Sequence, residues 1–214
     1  ILDARDQRLH FRMVEAHHAE AVEGHVLDEG ERRFFRHADP LGFILFARNC
    51  RDPDQVRNLA ADLRDCLGRE DAPVVIDQEG GRVVRLRPPH WRLPPAPARF
   101  ARLAGTEEAQ EAVRLNARLI AAELHDLGIT VNCLPVLDVL LPGAYIADRS
   151  FGGEPDTVAC LGRAACEGLL DGGVLPAGET GNADRFAALE NLRKLTGQPG
   201  VCLVTRGPGA THAA

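Results

Sequence analysis

The sequence contains a single lysine, Lys194, and the other 24 of its basic residues are arginines. Any chemistry that needs a lysine amine must therefore use Lys194. The net charge of the 214 residues is −6, which gives no electrostatic attraction to nucleic acid. No apolar run approaches the length of a transmembrane helix, so no membrane span is predicted. Neither nucleic acid nor a membrane is an expected partner.

The six cysteines are scattered and none forms a CxxC pair, so a zinc site is not predicted. We interpret them as reduced, mostly buried thiols of a cytoplasmic protein. His17, His18 and His25 could form a small metal-binding cluster, but a solvated helix is the better interpretation. We expect no secretory signal, since no basic segment followed by an apolar stretch opens these residues. Since the only methionine is Met13, we expect that Ile1 does not mark a native translation start.

Apolar runs of strand length alternate with segments of helical periodicity, which favours an α/β fold with parallel strands. Two of the predicted helices have an identifiable start. Asp52, for example, is an N-cap followed by a proline and by the capping-box partner Gln55, and Thr106 caps a long helix. Periodicity alone leaves a barrel and an open sheet as alternatives. The predicted strands are 41–47, 73–77, 129–131, 174–175 and 201–205, and the predicted helices are 29–37, 53–67, 106–127, 154–171 and 182–195.

Functional residues of α/β proteins gather at the carboxyl ends of strands. A carboxylate followed by two glycines, as in Asp77–Gly81, suits close approach of a ligand to the backbone. Arginines nearby could hold hydroxyls or carboxylates with their planar fork. The alternative is an internal Asp–Arg pair that orders loops. The polar residues at these strand ends are Arg48, Asn49, residues 77–82, Arg85, Asp138 and residues 148–150.

Four longer motifs give these residues a context: ADPLGFILFARNCRDPDQV (38–56), APVVIDQEGGRVVRLRPPHW (72–91), ARLIAAELHDLGITVNCLPVLDV (117–139) and ADRSFG (147–152). Together they closely resemble bacterial β-N-acetylhexosaminidases of glycoside hydrolase family 3, over residues 27–176. The resemblance implies the first half of a (β/α)8 barrel, and so an incomplete TIM-type barrel with parallel strands. It also implies a cytoplasmic enzyme that removes N-acetylglucosamine from peptidoglycan fragments during wall recycling.

The same resemblance implies that Asp77, Arg85 and Arg149 contact the sugar in the −1 subsite. After GGVLP (172–176) the family pattern would continue into a Lys-His pair and a Gly-His-Gly loop with the acid/base histidine, but this chain reads AGETGNADRF. The nucleophilic aspartate of the family lies still further along the barrel. Retaining hydrolysis needs both groups. We therefore predict no catalytic residues and no metal within these 214 residues, and weak sugar binding at best.

The tail, residues 190–214, resembles the pyrimidine-binding domain of thiamine-diphosphate enzymes of the acetolactate-synthase type, with VCLVTRGPGATH as its most specific part. The glutamate that activates the cofactor in that family would fall near Asn182, whereas Glu179 comes three residues earlier. Alternatively, Gly207 and Gly209 form a simple turn after a strand. No cofactor is predicted for the hydrolase-like part.

We thus divide the chain into an unassigned segment (1–26), a partial barrel (27–176) and the tail (177–214), a division typical of a joined fragment. Three functions remain open: a glycosidase-type barrel with a partial sugar site, a thiamine-diphosphate-binding module, and a non-catalytic α/β scaffold. Because buried parallel strands left unpaired tend to associate, a sheet edge left open where the missing half of the barrel would close is expected to cause self-association, unless the tail covers that edge.

Overall fold

The computed structural model describes residues 24–103, 106–178 and 201–202. Within these residues, strands and helices alternate along the chain, as the apolar periodicity predicts. The strands are β1 (Phe43–Leu45), β2 (Val74–Ile76), β3 (Val131–Asn132), β4 (Leu175–Gly178) and β5 (Val201–Cys202). The helices are α1 (Glu29–Ala38), α2 (Pro53–Leu67), α3 (Pro97–Ala101), α4 (Glu107–Asp126) and α5 (Pro155–Asp171).

The five strands form one parallel sheet in chain order, β1-β2-β3-β4-β5. Phe43 pairs with Val74, Val75 with Val131, and Val131 with Leu175. The sequential parallel order confirms the predicted α/β class and the partial barrel arrangement. It also confirms that the tail strand adds beside β4, since Ala177 pairs with Val201. The predicted helix 182–195 lies outside the described residues.

β1, β2 and β3 are shorter than the apolar runs that predict them, whereas β4 extends to Gly178, beyond the predicted 174–175. Leu41, for instance, belongs to the run but precedes β1, and the third strand begins at Val131 rather than at Ile129. The bounds differ because an apolar residue belongs to a strand only where its backbone pairs with that of the adjacent strand.

One face of the sheet packs against the helices and forms the main hydrophobic core. In β1 and β2 the outer residues of each triplet are buried, while the central residues, Ile44 and Val75, are only partly buried. Val75 packs with Val131, Cys133 and Ala177 in a second, smaller cluster. This second face corresponds to the interior of a barrel. The main core combines strand residues with α2 and α4 residues such as Phe43, Leu45, Val74, Ile76, Leu59, Leu63, Ile120 and Leu124.

Helix α2 begins as predicted at Asp52, whose side chain accepts a hydrogen bond from the Gln55 backbone N–H at 2.9 Å. The predicted capping box is wrong, however. The Gln55 side chain accepts from the backbone N–H of Arg51 instead of that of Asp52, and it donates to the carbonyls of His25 and Asn49. Gln55 is buried, so its amide satisfies backbone groups around the helix start.

Helices α4 and α5 lie in direct contact, and Gly168 permits their close approach. A Cβ at Gly168 would lie 2.2 Å from the carbonyl oxygen of Arg114 on α4. Thr106 caps α4 through the backbone N–H of Ala109, as predicted. In the part of the chain that the structure describes, no helix combines the length and apolarity that a bilayer crossing would require.

Candidate functional site

Asp77 and Arg85 form an ion pair directly after β2. The Arg85 Nη2 donates to Asp77 Oδ2 at 2.6 Å, and the Asp77 side chain is 14% exposed. Among the described residues, Arg85 is the hydrogen-bond donor to this carboxylate, and it contacts one oxygen only. The structure therefore brings two of the three predicted sugar-binding residues together, with the second Asp77 oxygen unengaged by the described residues.

The fully buried side chain of Gln78 determines the shape of the loop that places Arg85 opposite Asp77. Its Oε1 accepts from the backbone N–H groups of Arg85 (2.8 Å) and Leu86 (3.1 Å), and its Nε2 donates to the Leu86 carbonyl. The loop 77–86 therefore turns back toward its own start. Without this turn, the two charged side chains would not meet at the end of β2.

Asn132, at the end of β3, holds the same loop from the neighbouring strand. Its Oδ1 accepts from the Gln78 N–H at 2.9 Å, and its Nδ2 donates to the Gln78 carbonyl at 3.0 Å. Asn132 is also fully buried, so the pairing continues the β2–β3 ladder with a side chain. Sequence reasoning missed this residue, although an asparagine at the end of an apolar strand is a visible signal.

Arg149, the third predicted residue, pairs with Glu79. Its Nε donates to Glu79 Oε2 at 2.9 Å and its Nη2 to Glu79 Oε1 at 2.6 Å, a bidentate arrangement. The Glu79 side chain is 0% exposed and that of Arg149 is 21% exposed. Arg149 thus lies at the same strand end as Asp77, but a buried carboxylate of the chain already occupies one edge of its guanidinium.

A second ion pair links the same two loops with the charges reversed. Arg82 of loop 77–86 contacts Asp148 at 2.9 Å, and it also donates to the carbonyls of Tyr145 and Ile146. Asp148 is 45% exposed, so this pair is screened by solvent and contributes little energy. Its geometric effect is to hold the segment 144–152 against loop 77–86.

The expectation that the glycine pair admits a ligand to the backbone is wrong at Gly80. Its φ is +112°, and a Cβ there would lie 2.3 Å from the carbonyl oxygen of Pro95. The Gly81 N–H donates to the Pro94 carbonyl at 2.8 Å. The proline-rich segment of the chain itself therefore occupies the space that the glycines leave.

The polar residues after β1 have mainly structural contacts. Asn49 is fully buried, its Oδ1 accepts from the Phe46 N–H, and its Nδ2 donates to the Gly24 carbonyl. The guanidinium carbons of Arg48 and Arg85 lie 4.9 Å and 5.9 Å from the centre of the Phe46 ring. Phe46 thus gives Arg85 an apolar support beside its contact with Asp77.

Of the other aspartates near these loops, Asp148 has an ion-paired carboxylate and Asp138 a hydrogen-bonded backbone carbonyl. The Ser150 Oγ donates to the Asp138 backbone carbonyl at 2.7 Å, and Asp148 pairs with Arg82. Among the described residues, no group of three or more histidine, cysteine, aspartate or glutamate side chains could hold a metal ion. His17 and His18 lie outside them.

The five cysteines whose side chains are described form no disulfide, and three of them are buried. Burial raises the pKa of Cys50 to about 12, with the nearby Arg85 acting in the opposite direction. Burial also raises the pKa of Cys166 to about 12, and Glu167 adds to the shift. Both thiols are therefore protonated near neutral pH, which is the unreactive form.

We expect Cys50 and Cys166 to resist iodoacetamide at about pH 8 in the native chain and to react once it is unfolded. Mass spectrometry of the labelled peptides measures this. Because the unfolded thiols release protons at the lower, ordinary pKa of 9.0, the free energy of unfolding should also fall as the pH rises from about 9 to 12. Fast native labelling of both residues would contradict the prediction.

The glycosyl hydrolase family 3 N-terminal domain matches residues 14–180, which is most of the chain. The chain belongs to glycoside hydrolase family 3. The family assignment confirms the resemblance of the four motifs. The domain boundaries predicted at 26 and 176 stay predictions.

The chain is 38% identical to a beta-hexosaminidase of Methylococcus capsulatus over 157 residues, which cover 73% of this chain and 46% of the relative. It is 35% identical to a beta-hexosaminidase of Pseudomonas aeruginosa over 159 residues, 74% of this chain and 46% of the relative. The chain thus spans about half the length of the curated relatives it matches.

Solved structures agree with the sequence relatives. Native NagZ from Neisseria gonorrhoeae superposes with a TM-score of 0.70 at 31% identity, covering 74% of this chain and 47% of that one. The same protein in complex with N-trifluoroacetyl-D-glucosamine gives 0.75 at 26% identity, with 86% and 61% covered. The thiamine-diphosphate alternative finds no support here: the family match ends before residues 190–214, most of which lie outside the described residues.

Proposed function

We propose that this chain forms the N-acetylglucosamine-binding part of a family 3 β-N-acetylhexosaminidase that acts on peptidoglycan fragments in the cytoplasm. The relatives named beta-hexosaminidase support this, as does the Neisseria structure that holds a glucosamine derivative. In the proposal, Asp77, Arg85 and Arg149 contact the sugar, whereas the residues that break the glycosidic bond are not among the 214.

The observation that carries the proposal is the Asp77–Arg85 pair at the carboxyl end of β2. A carboxylate with one oxygen unengaged by the described residues can accept hydrogen bonds from neighbouring sugar hydroxyls. The guanidinium fixes the orientation of that carboxylate and can itself donate to a hydroxyl or an amide oxygen. Both side chains are mostly buried, which strengthens such bonds relative to water.

Titration calorimetry with N-acetylglucosamine tests the proposal. A few hydrogen bonds to charged groups, each worth about 1.5–3 kcal/mol, lead to a dissociation constant on the order of 1 mM. The Asp77→Asn variant, which keeps the size of the side chain, should bind at least about tenfold more weakly. Asp126→Asn, on the exposed end of α4, is the control and should bind as the parent does. Binding of thiamine diphosphate with Mg²⁺ but not of the sugar would overturn the proposal.

We expect no measurable hydrolysis of a chromogenic N-acetylglucosaminide by a polypeptide of these 214 residues. Asp77 and the two arginines can bind a sugar, but glycoside hydrolysis needs a nucleophile and a proton donor on opposite sides of the bond. Absorbance of the released chromophore measures turnover. Activity that is present in the parent and lost in an Asp77→Ala, Arg149→Ala double variant would contradict the expectation.

Self-association through an open sheet edge is also part of the proposal. Within the described residues, β1 and β5 each have a paired neighbour on one side only. Strand edges of this kind can pair with another chain. Analytical ultracentrifugation should therefore detect oligomers at micromolar concentration, and a monodisperse monomer would count against this part.

A further inference from the structure

The two arginines of the proposed sugar site are held in different ways. Arg85 pairs with Asp77, whose side chain retains some exposure, and stacks near Phe46. Arg149 instead has both its Nε and its Nη2 bound to one carboxylate, Glu79, which has no exposed side-chain surface. Glu79 itself therefore cannot reach a ligand in this arrangement, and its bidentate contact with Arg149 gives it a route by which to affect binding.

We propose that Glu79 is a positioning residue, whose buried charge fixes the guanidinium of Arg149 for contact with the sugar. This inference rests on the proposed function. The bidentate pairing leaves the guanidinium plane a single orientation relative to loop 77–86, since two parallel hydrogen bonds prevent rotation about either one. Any bond from Arg149 to a sugar must then come from donors other than the two that Glu79 holds.

Burial of the pair favours positioning over stabilisation as its purpose. Taking a carboxylate and a guanidinium out of water costs roughly as much as their attraction returns, so a buried pair of this kind is weak evidence for stability. The pair does, however, join two parts of the chain, because Glu79 belongs to loop 77–86 and Arg149 to the segment 144–152. The Arg82–Asp148 contact holds the same two loops together from the exposed side.

Two substitutions separate positioning by charge from simple packing. Glu79→Gln keeps the size of the side chain but replaces an acceptor oxygen with a donor amide, which cannot pair with both guanidinium donors. Glu79→Asp keeps the charge and loses one methylene. If charge positions Arg149, Asp should preserve sugar binding better than Gln. If Glu79 only fills space, Gln should be the milder change.

The matched control is Glu111→Gln on α4. The Nε and Nη2 of Arg114 each donate a hydrogen bond of 3.0 Å to the Glu111 carboxylate, so the contact resembles the Glu79–Arg149 pair. Here, however, the carboxylate is half exposed and neither residue belongs to the proposed site. This variant should bind N-acetylglucosamine as the parent does.

The experiment combines sugar titration with NMR of the Arg149 Nε–H group in the full 214-residue chain. We expect Glu79→Gln to weaken N-acetylglucosamine binding at least about tenfold and to broaden or shift the Arg149 Nε–H resonance, with Glu79→Asp between Gln and the parent. Equal binding by the parent and Glu79→Gln, or weaker binding by Asp than by Gln, overturns the inference while leaving the proposed function intact. A parent chain that does not bind the sugar overturns both.

Discussion

The Arg149→Leu variant is expected to lose about 3–5 kcal/mol of unfolding free energy. Glu79 has no exposed side-chain surface, and the substitution removes the guanidinium that neutralises it through two hydrogen bonds. A buried carboxylate that loses its counter-charge keeps its desolvation cost without the attraction that offset it. For a chain of this size, the melting temperature should fall by roughly 10 °C.

A double-mutant cycle shows whether the buried charge is the cause. In a Glu79→Gln background the charge is gone, so Arg149→Leu should cost much less than in the parent. The control Arg114→Leu breaks the exposed pairs with Glu111 and Asp171 and should change the melting temperature little. If Arg149→Leu and Arg114→Leu shifted the melting temperature equally, burial of Glu79 would not have the importance that we assign to it.

The Gly80→Ala variant is expected to lose about 3 kcal/mol of unfolding free energy. Its new Cβ would lie 2.3 Å from the Pro95 carbonyl oxygen, a contact that only a backbone shift can relieve. The φ of +112° adds conformational strain for any residue with a side chain. Chemical denaturation measures the loss.

Gly143→Ala separates the two contributions. Gly143 has a φ of +78°, and a Cβ there would meet nothing within 4 Å, so this variant should lose only about 1 kcal/mol. A Gly80→Ala loss no larger than that of Gly143→Ala would mean that the Pro95 segment moves away easily. That result would contradict the close packing of loop 77–86 against the proline-rich segment.

The parallel sheet could be predicted from the sequence because its strands are apolar runs of strand length separated by capped helices. The runs at 41–47 and 73–77 gave the correct neighbours, and Asp52 and Thr106 gave the correct helix starts. The strand ends could not be placed, since they depend on how far two backbones pair. The Gln55 capping box failed for a related reason: its amide contacts backbone from before β1, 30 residues earlier in the chain.

In the candidate site, too, the sequence predicts local contacts but not contacts between distant segments. Asp77 and Arg85 are eight positions apart within one motif, so their proximity could be inferred locally. Glu79 and Arg149 are 70 positions apart, and only the order of the strands brings their loops together. Periodicity therefore gives no indication of the pair. The glycines after Glu79 do signal a close approach, but not whether a ligand or the chain itself makes it.

The most direct test of the proposed sugar site is a ¹H–¹⁵N NMR titration of the 214-residue chain with N-acetylglucosamine, at sugar concentrations on the order of 10 mM. Our account predicts that the backbone resonances that shift belong to loop 77–86 and to residues 147–152, and that Asp77→Asn greatly reduces these shifts. Shifts confined to other parts of the chain, or none at all, would contradict the assignment of Asp77, Arg85 and Arg149 to a sugar site.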